Sequence, residues 1–273
     1  FGDSLYEVTR TYGGVLFSLE EHLLRLTNSC RLAMFDELPD LSLARTMVLE
    51  CTRAFFARFG RCEAYVRIIV SSGIGDLNID RAYASGPYIM VIVKELEPYP
   101  SSIYTDGVHY AIVDRKRNHP EALSPAMKSG NYLNNVLAIK EAKQMGASDA
   151  ILLSINGFVT EGTTNNIYIV TNGEIWSPPD SVGILAGITR DWIKLISRNL
   201  GVSYQERLFT ASQLLNADEV FMSSSTKEIV PITKVSGRLI QNGKPGPITK
   251  KVHSGLQTLI ADKCSTVNGI CLY

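Results

Sequence analysis

The chain has 273 residues, enough for one large domain or two of ordinary size, and is 45% hydrophobic and 20% charged, which excludes small disulfide scaffolds and the disordered and collagen-like classes. Its 27 basic and 27 acidic side chains give a formal net charge of +0, so no nucleic-acid partner is expected, because phosphate neutralisation needs a basic excess. Cys30, Cys51, Cys62, Cys264 and Cys271 form no C-x-x-C pair and have no histidine at ligand spacing; they read as reduced, mostly buried thiols with no metal site. No apolar run approaches the ~20 residues of a membrane span. The N-terminus has neither a basic n-region nor an apolar h-region, so a cytoplasmic location with no membrane contact is expected.

In chain order, Leu5 to Tyr12, a turn at Gly13-Gly14 and Val15 to Ser18 read as a hairpin. Leu23, Leu26 and Leu32 continue at near-helical spacing behind Glu20-Glu21, acids placed where a helix dipole favours them. A second helix is predicted from Leu41 to Phe59, ended by Gly60, then strands at Ala64 to Ser71 and Tyr88 to Lys94 around a glycine-bearing loop at residues 73–80. The polar, proline-bearing stretch from Val113 to Pro125 reads as a domain boundary. Beyond it come an amphipathic helix from Asn131 to Met145, with Leu133, Val136, Leu137 and Ala138 as its apolar side, and strands at Ala150 to Ile155, Phe158 onward and Asn166 to Thr171. A helix opening at Gly187, strands at Glu219 to Ser223 and Glu228 to Val235, and a closing helix from Ile248 to Ala261 complete the chain. This mixture of hairpins and helices favours an α+β fold over a doubly wound parallel sheet.

Three features allow a phosphorylated ligand. Gly187-Ile188-Thr189 opens a helix, where backbone N–H groups and the dipole favour an anion, although Gly-x-Thr is also an ordinary cap. Ser223-Ser224-Ser225-Thr226 is a hydroxyl cluster that serves equally as a solvated turn. Lys128 and Glu161 follow apolar segments; a sheltered lysine can act as Schiff-base nucleophile and proton shuttle, but an ordinary lysine is a surface charge, and Glu161 also fits a turn. The scattered histidines and the absence of a G-x-S-x-G elbow give a hydrolase triad no support.

Taken together, the segments resemble the fold-type IV pyridoxal-phosphate enzymes: branched-chain aminotransferases, D-amino-acid aminotransferases, (R)-amine transaminases and aminodeoxychorismate lyase. The resemblance rests on Phe1-Gly2-Asp3 with Tyr6-Glu7, Glu21-His22-x-x-Arg25-Leu26, Tyr65-Val66-Arg67, Lys128-Ser129-x-Asn131-Tyr132, Glu161-Gly162-x-x-x-Asn166-Ile167, Gly187-Ile188-Thr189-Arg190 and Ala217-Asp218-Glu219-Val220-Phe221. It implies two α/β domains of the D-amino-acid-aminotransferase-like architecture: a small N-terminal domain over 1–118, a linker over 119–125 and a large cofactor-binding domain over 126–273. It also implies pyridoxal 5'-phosphate as cofactor and a homodimer acting on amino acid and 2-oxo acid substrates. Lys128 would form the internal aldimine and move the Cα proton. Glu161 would face the pyridine nitrogen, Tyr132 the phenolic oxygen, and Arg25, Ile188, Thr189 and Ser225 the phosphate, with Asn166 also in the cofactor set. Family members carry a further strand ahead of the Gly-Asp motif, so a short preceding piece is expected.

Within the family, Tyr65 and Arg67, two apart on one strand face, match the substrate-carboxylate pair of the branched-chain enzymes, joined by Tyr6 and Thr226 as substrate residues. Residues 72–80 contain neither arginine nor histidine and so lack the Arg-x-His clamp of familiar D-amino-acid enzymes. Val8 stands where branched-chain enzymes have glycine and lyases threonine. The reading is a transaminase taking hydrophobic, branched-chain L-amino acids with 2-oxoglutarate as acceptor. The alternative is a D-amino-acid or (R)-amine transaminase; a lyase or a non-catalytic pyridoxal-phosphate-binding protein stands behind both.

Overall fold

The computed structural model describes residues 2–265 and 270–273; Phe1 of the first motif lies outside the described residues. The chain divides into two compact units, one made of Phe1–Pro98, Met127–Asn131 and Leu259–Tyr273, the other of Tyr99–Ala126 and Tyr132–Thr258.

The first unit contains β1 (Ser4–Tyr12), β2 (Val15–Leu16), α1 (Leu19–Leu32), α2 (Leu41–Phe59), β3 (Ala64–Ser71) and β4 (Tyr88–Glu95). Its antiparallel sheet runs β2-β1-β3-β4. On β3, Ala64, Val66, Ile68 and Val70 are buried and join a core with Leu23, Leu26, Val48 and Phe56 from the helices, while Tyr65, Arg67 and Ile69 take the other face. Asp40 caps α2 by accepting from the Ser42 and Leu43 N–H groups. Gly60 ends that helix at φ 81°, a left-handed angle that glycine adopts without steric cost.

The second unit contains α3 (Ser102–Thr105), β5 (Val108–Lys116), α4 (Leu133–Gln144), β6 (Asp149–Leu153), β7 (Val159–Gly162), β8 (Asn166–Thr171) and β9 (Glu174–Ser177). It continues through α5 (Ile188–Asn199), β10 (Tyr204–Glu206), α6 (Ala211–Leu215), β11 (Glu219–Ser224), β12 (Glu228–Val235), β13 (Arg238–Leu239) and α7 (Pro247–Lys263), of which residues to Thr258 belong to this unit. The sheet order is β10-β9-β8-β11-β12-β5-β6-β7, and β7 also pairs with β8, so six strands close on themselves. That closure falls where Glu161 pairs with Asn166.

Four expectations are corrected. The first boundary falls at Pro98 rather than 118, because β5 pairs in parallel with both β12 and β6 and is central to the second sheet. Met127–Asn131, expected in the C-terminal domain, groups with the first unit because it hydrogen-bonds along β1. Leu133 and Val136 are exposed; α4 turns Asn135, Ala138 and Ala142 inward, and the two alanines pack against Ala111, Ala150 and Leu152 of β5 and β6. Only Cys30 among the five free cysteines is buried, three are half-buried and Cys271 is exposed. Among the described residues no helix is long and apolar enough to cross a membrane.

Candidate active site

In the first unit, the alternation of β1 places Glu7 on the same inward face as Leu5, opposite Ile68 of β3 and against α1. A lone carboxylate there would be costly. His22 and Arg25, three apart and so on one side of α1, supply its partners. Arg25 Nε and Nη2 donate to the two Glu7 oxygens at 2.7 and 2.8 Å, and His22 Nδ1 lies 2.7 Å from Oε2. Burial alone would raise the Glu7 carboxyl; the Arg25 charge and the hydrogen bonds from Arg25 and His22 outweigh it and hold it well below the usual carboxylate range. Burial pushes His22 down, against the pull of Glu7 and with the Arg25 and Lys128 charges adding to it. An ionised carboxylate only accepts, so neutral His22 carries its proton on Nδ1.

Lys128 lies along the start of β1. Its carbonyl accepts from the Tyr6 N–H at 2.8 Å, Gly130 N–H donates to the Ser4 carbonyl at 2.7 Å, and the Lys128 N–H donates to Ser29 Oγ at 3.3 Å. These bonds fix the backbone that carries the amine. The Lys128 ammonium lies 4.6 Å from the centre of the Tyr6 ring, and the Arg67 guanidinium lies 3.9 Å from the same centre. Arg67 Nε is buried with no hydrogen-bond partner among the described residues, an arrangement that an incoming anion would satisfy. Tyr65 shares the strand face with Arg67, whose cross-strand neighbour is Val8.

In the second unit, Glu161 is 5% exposed on β7. Arg117 Nε donates to its Oε1 at 2.8 Å and the Leu185 N–H to its Oε2 at 2.9 Å. Asn166 Nδ2 donates to the Leu185 carbonyl at 2.9 Å, so both site residues hold one stretch of backbone just before α5. A side chain at Gly187 would collide with Asn166, which explains the glycine by close approach and leaves the helix without a side-chain cap. Ile188 and Thr189 form its first turn and are buried. Arg190 ties that turn down through Ser177 Oγ, Asp180 and the Pro178 carbonyl at 2.9, 3.0 and 3.2 Å. Ser225 and Thr226 are half-buried between β11 and β12. Tyr132 precedes α4, half-buried, its carbonyl accepting from the Val136 N–H.

The expected residues thus fall in two groups: Tyr6, Arg25, Tyr65, Arg67 and Lys128 in the first unit, and Tyr132, Glu161, Asn166, Ile188, Thr189, Ser225 and Thr226 in the second. Sequence reasoning missed Glu7, His22 and Arg117 as partners. An acid at an inward strand position followed by His-x-x-Arg on a helix was a readable signal for the first two. Arg117, inside a basic run that reads as a linker, gave none.

Residues 4–235 match the amino-transferase class IV family, and the chain belongs to it. Among its relatives, a putative branched-chain-amino-acid aminotransferase of Methanocaldococcus jannaschii is 38% identical over 92% of this chain and 85% of that protein. A D-alanine aminotransferase of Bacillus licheniformis is 32% identical over 98% and 91%. Among solved structures, the branched-chain aminotransferase of Thermoproteus uzoniensis with norvaline superposes with a TM-score of 0.87 at 29% identity, over 100% of this chain and 91% of that one.

Proposed function

We propose that the protein is a pyridoxal 5'-phosphate-dependent transaminase that takes amino groups from hydrophobic, branched-chain L-amino acids and passes them to 2-oxoglutarate, as a homodimer. The cofactor supplies an aldehyde that condenses with amines and a ring that accepts the electron pair left when the Cα proton departs.

The residues fit such a ligand. Glu161 spends two of roughly four acceptor positions on Arg117 and Leu185, leaving capacity to accept from a protonated ring nitrogen. Ile188 and Thr189 offer an uncapped helix start, and Ser225 a hydroxyl, to a phosphate. Arg25, oriented by Glu7, brings a fixed positive charge, and Tyr132 a phenol. Lys128 would hold the cofactor through its amine, and once freed by the substrate amine its Nζ would take the proton from the substrate Cα and deliver it to the cofactor.

The observation that carries the choice of a carboxylate-bearing substrate is the buried, unpartnered Arg67 Nε beside Tyr65. A carboxylate bound there satisfies it, and the acidic acceptor 2-oxoglutarate has a second carboxylate to offer. The exposed apolar residues Tyr88, Met90 and Ile92 on β4, and Leu77 on the preceding loop at 99% exposure, support a self-association surface. A D-amino-acid reading is kept by Val8, whose side chain stands directly across from Arg67, and by the D-alanine aminotransferase among the relatives.

The test is a half-reaction scan with single L- and D-amino acids and (R)-1-phenylethylamine, following conversion of the enzyme-bound cofactor absorbance to the amine form. Conversion by L-leucine, L-isoleucine and L-valine with inert D-enantiomers is expected. Conversion by D-amino acids or the (R)-amine alone would refute the reading.

A further inference from the structure

The turn that carries Ser225 and Thr226 is gripped by side chains that the reaction does not itself require. Ser224 pairs with Glu228 across β11 and β12, leaving the three-residue turn Ser225-Thr226-Lys227. In three-residue hairpin turns the closing residue adopts the left-handed conformation that glycine fills without cost. Here the left-handed angle falls instead on Glu228, the first residue of β12 after the turn, at φ 60°, an angle that disfavours any side chain with a Cβ.

The side chain so placed is in use. Glu228 Oε2 lies 3.1 Å from His253 Nε2 on α7, and both side chains are largely buried. The His253 ring stacks on Tyr104 of α3, with centres 5.3 Å apart and planes 20° from parallel. The Tyr104 hydroxyl in turn donates to the Lys227 carbonyl at 3.3 Å. On the other side of the turn, the Tyr99 hydroxyl donates to Thr226 Oγ1 at 3.3 Å, and the Lys227 N–H donates to Ser224 Oγ at 3.2 Å. Two elements therefore reach the turn by separate routes, α7 through a carboxylate at a strained corner and α3 through a backbone carbonyl.

We infer that Glu228, His253 and Tyr104 are positioning residues that hold Thr226, on the turn after β11, in place to receive a substrate carboxylate and so set the affinity of the enzyme for carboxylate substrates. The inference rests on Thr226 being a substrate residue along with Arg67 and Tyr65, as the sequence resemblance implies. Fixing donors before the ligand arrives removes an ordering cost from binding. Release of the clamp would act alike on ground and transition states, raising KM and leaving kcat.

The experiment compares the holoenzyme with Glu228→Gly, His253→Leu, His253→Gln, Tyr104→Phe and Thr226→Val. It measures the Kd of 4-methylpentanoic acid, which has a carboxylate but no amino group to transfer, by calorimetry, together with KM, kcat and Tm. Glu228→Gly keeps the corner angle and loses only the side chain. We expect it and His253→Leu to weaken the acid and raise KM about fivefold or more, with kcat within about twofold. His253→Gln, whose amide still donates to Glu228, restores both values to within about twofold of wild type, and Tyr104→Phe gives a smaller loss of the same kind. Wild-type affinity in Glu228→Gly and His253→Leu, with or without a lowered Tm, alongside weakened binding in Thr226→Val, would overturn the clamp and leave the substrate reading standing. Unchanged affinity in Thr226→Val as well would remove the turn from the substrate site, and the clamp with it.

Discussion

Two buried carboxylates, Glu7 on β1 and Glu161 on β7, each meet an arginine, but the donors are arranged differently. Glu7 is wholly buried and receives a bidentate Arg25 plus His22, and the Arg25 side chain is the more exposed end at 14%. The anion there is the interior anchor and the cation is the part held out. Glu161 receives one nitrogen of Arg117 and one backbone N–H, so its charge is steadied and its acceptor capacity is not used up. The number of donors spent on a buried carboxylate, rather than the presence of an ion pair, separates an anion that orients a cation from one poised to meet a ligand itself.

The comparison breaks most sharply at Glu161. Glu161→Gln keeps the shape and removes the charge; kcat should fall by roughly 10²- to 10³-fold, the scale of one preorganised electrostatic contact, with cofactor retention much less affected. Equal turnover in single-turnover kinetics would show that the carboxylate serves the fold alone. Glu7→Gln should act on stability. It leaves Arg25 mostly buried without its counter-charge, a loss of about 3–5 kcal/mol in urea denaturation, and a cost below about 1 kcal/mol would mean that water replaces the carboxylate there.

A smaller effect distinguishes the first cluster through pH. His22 and Glu7 both titrate below their ordinary values of 6.5 and 4.5, so at low pH the unfolded chain binds protons that the folded chain refuses. The stability from His22 is complete above pH 6.5 and is lost as pH falls below it; that from Glu7 is complete above pH 4.5 and lost further down. Tm should therefore drop below pH 6.5, and His22→Gln, which still donates to Glu7, should flatten the upper part of that fall. An unchanged slope in the variant would place the titration elsewhere.

Much of the fold was legible where the punctuation is local. The α2 bounds and the β3, β8 and β12 runs match their sequence readings, because Asp40, Gly60 and strict alternation or apolar runs mark them within a few residues. β5 was hidden because its end, Asp114-Arg115-Lys116, has the polarity of a linker although Lys116 still pairs with Leu153 past a register shift, while its pairing partners β6 and β12 are distant in sequence. Lys128 was singled out by its chemistry, but its attachment to β1 depends on backbone bonds that no residue type announces. The clamp at His253 and Glu228 was equally invisible, since it needs a left-handed corner and a stacking partner from α3.

The central claim is that Lys128 is the lysine that binds the cofactor. Borohydride reduction of the holoenzyme followed by peptide mapping tests it directly: the account predicts a single pyridoxyl adduct on Lys128, lost together with the pH-sensitive visible absorbance in Lys128→Ala. A reducible adduct on another lysine, or unchanged absorbance in Lys128→Ala, would contradict it.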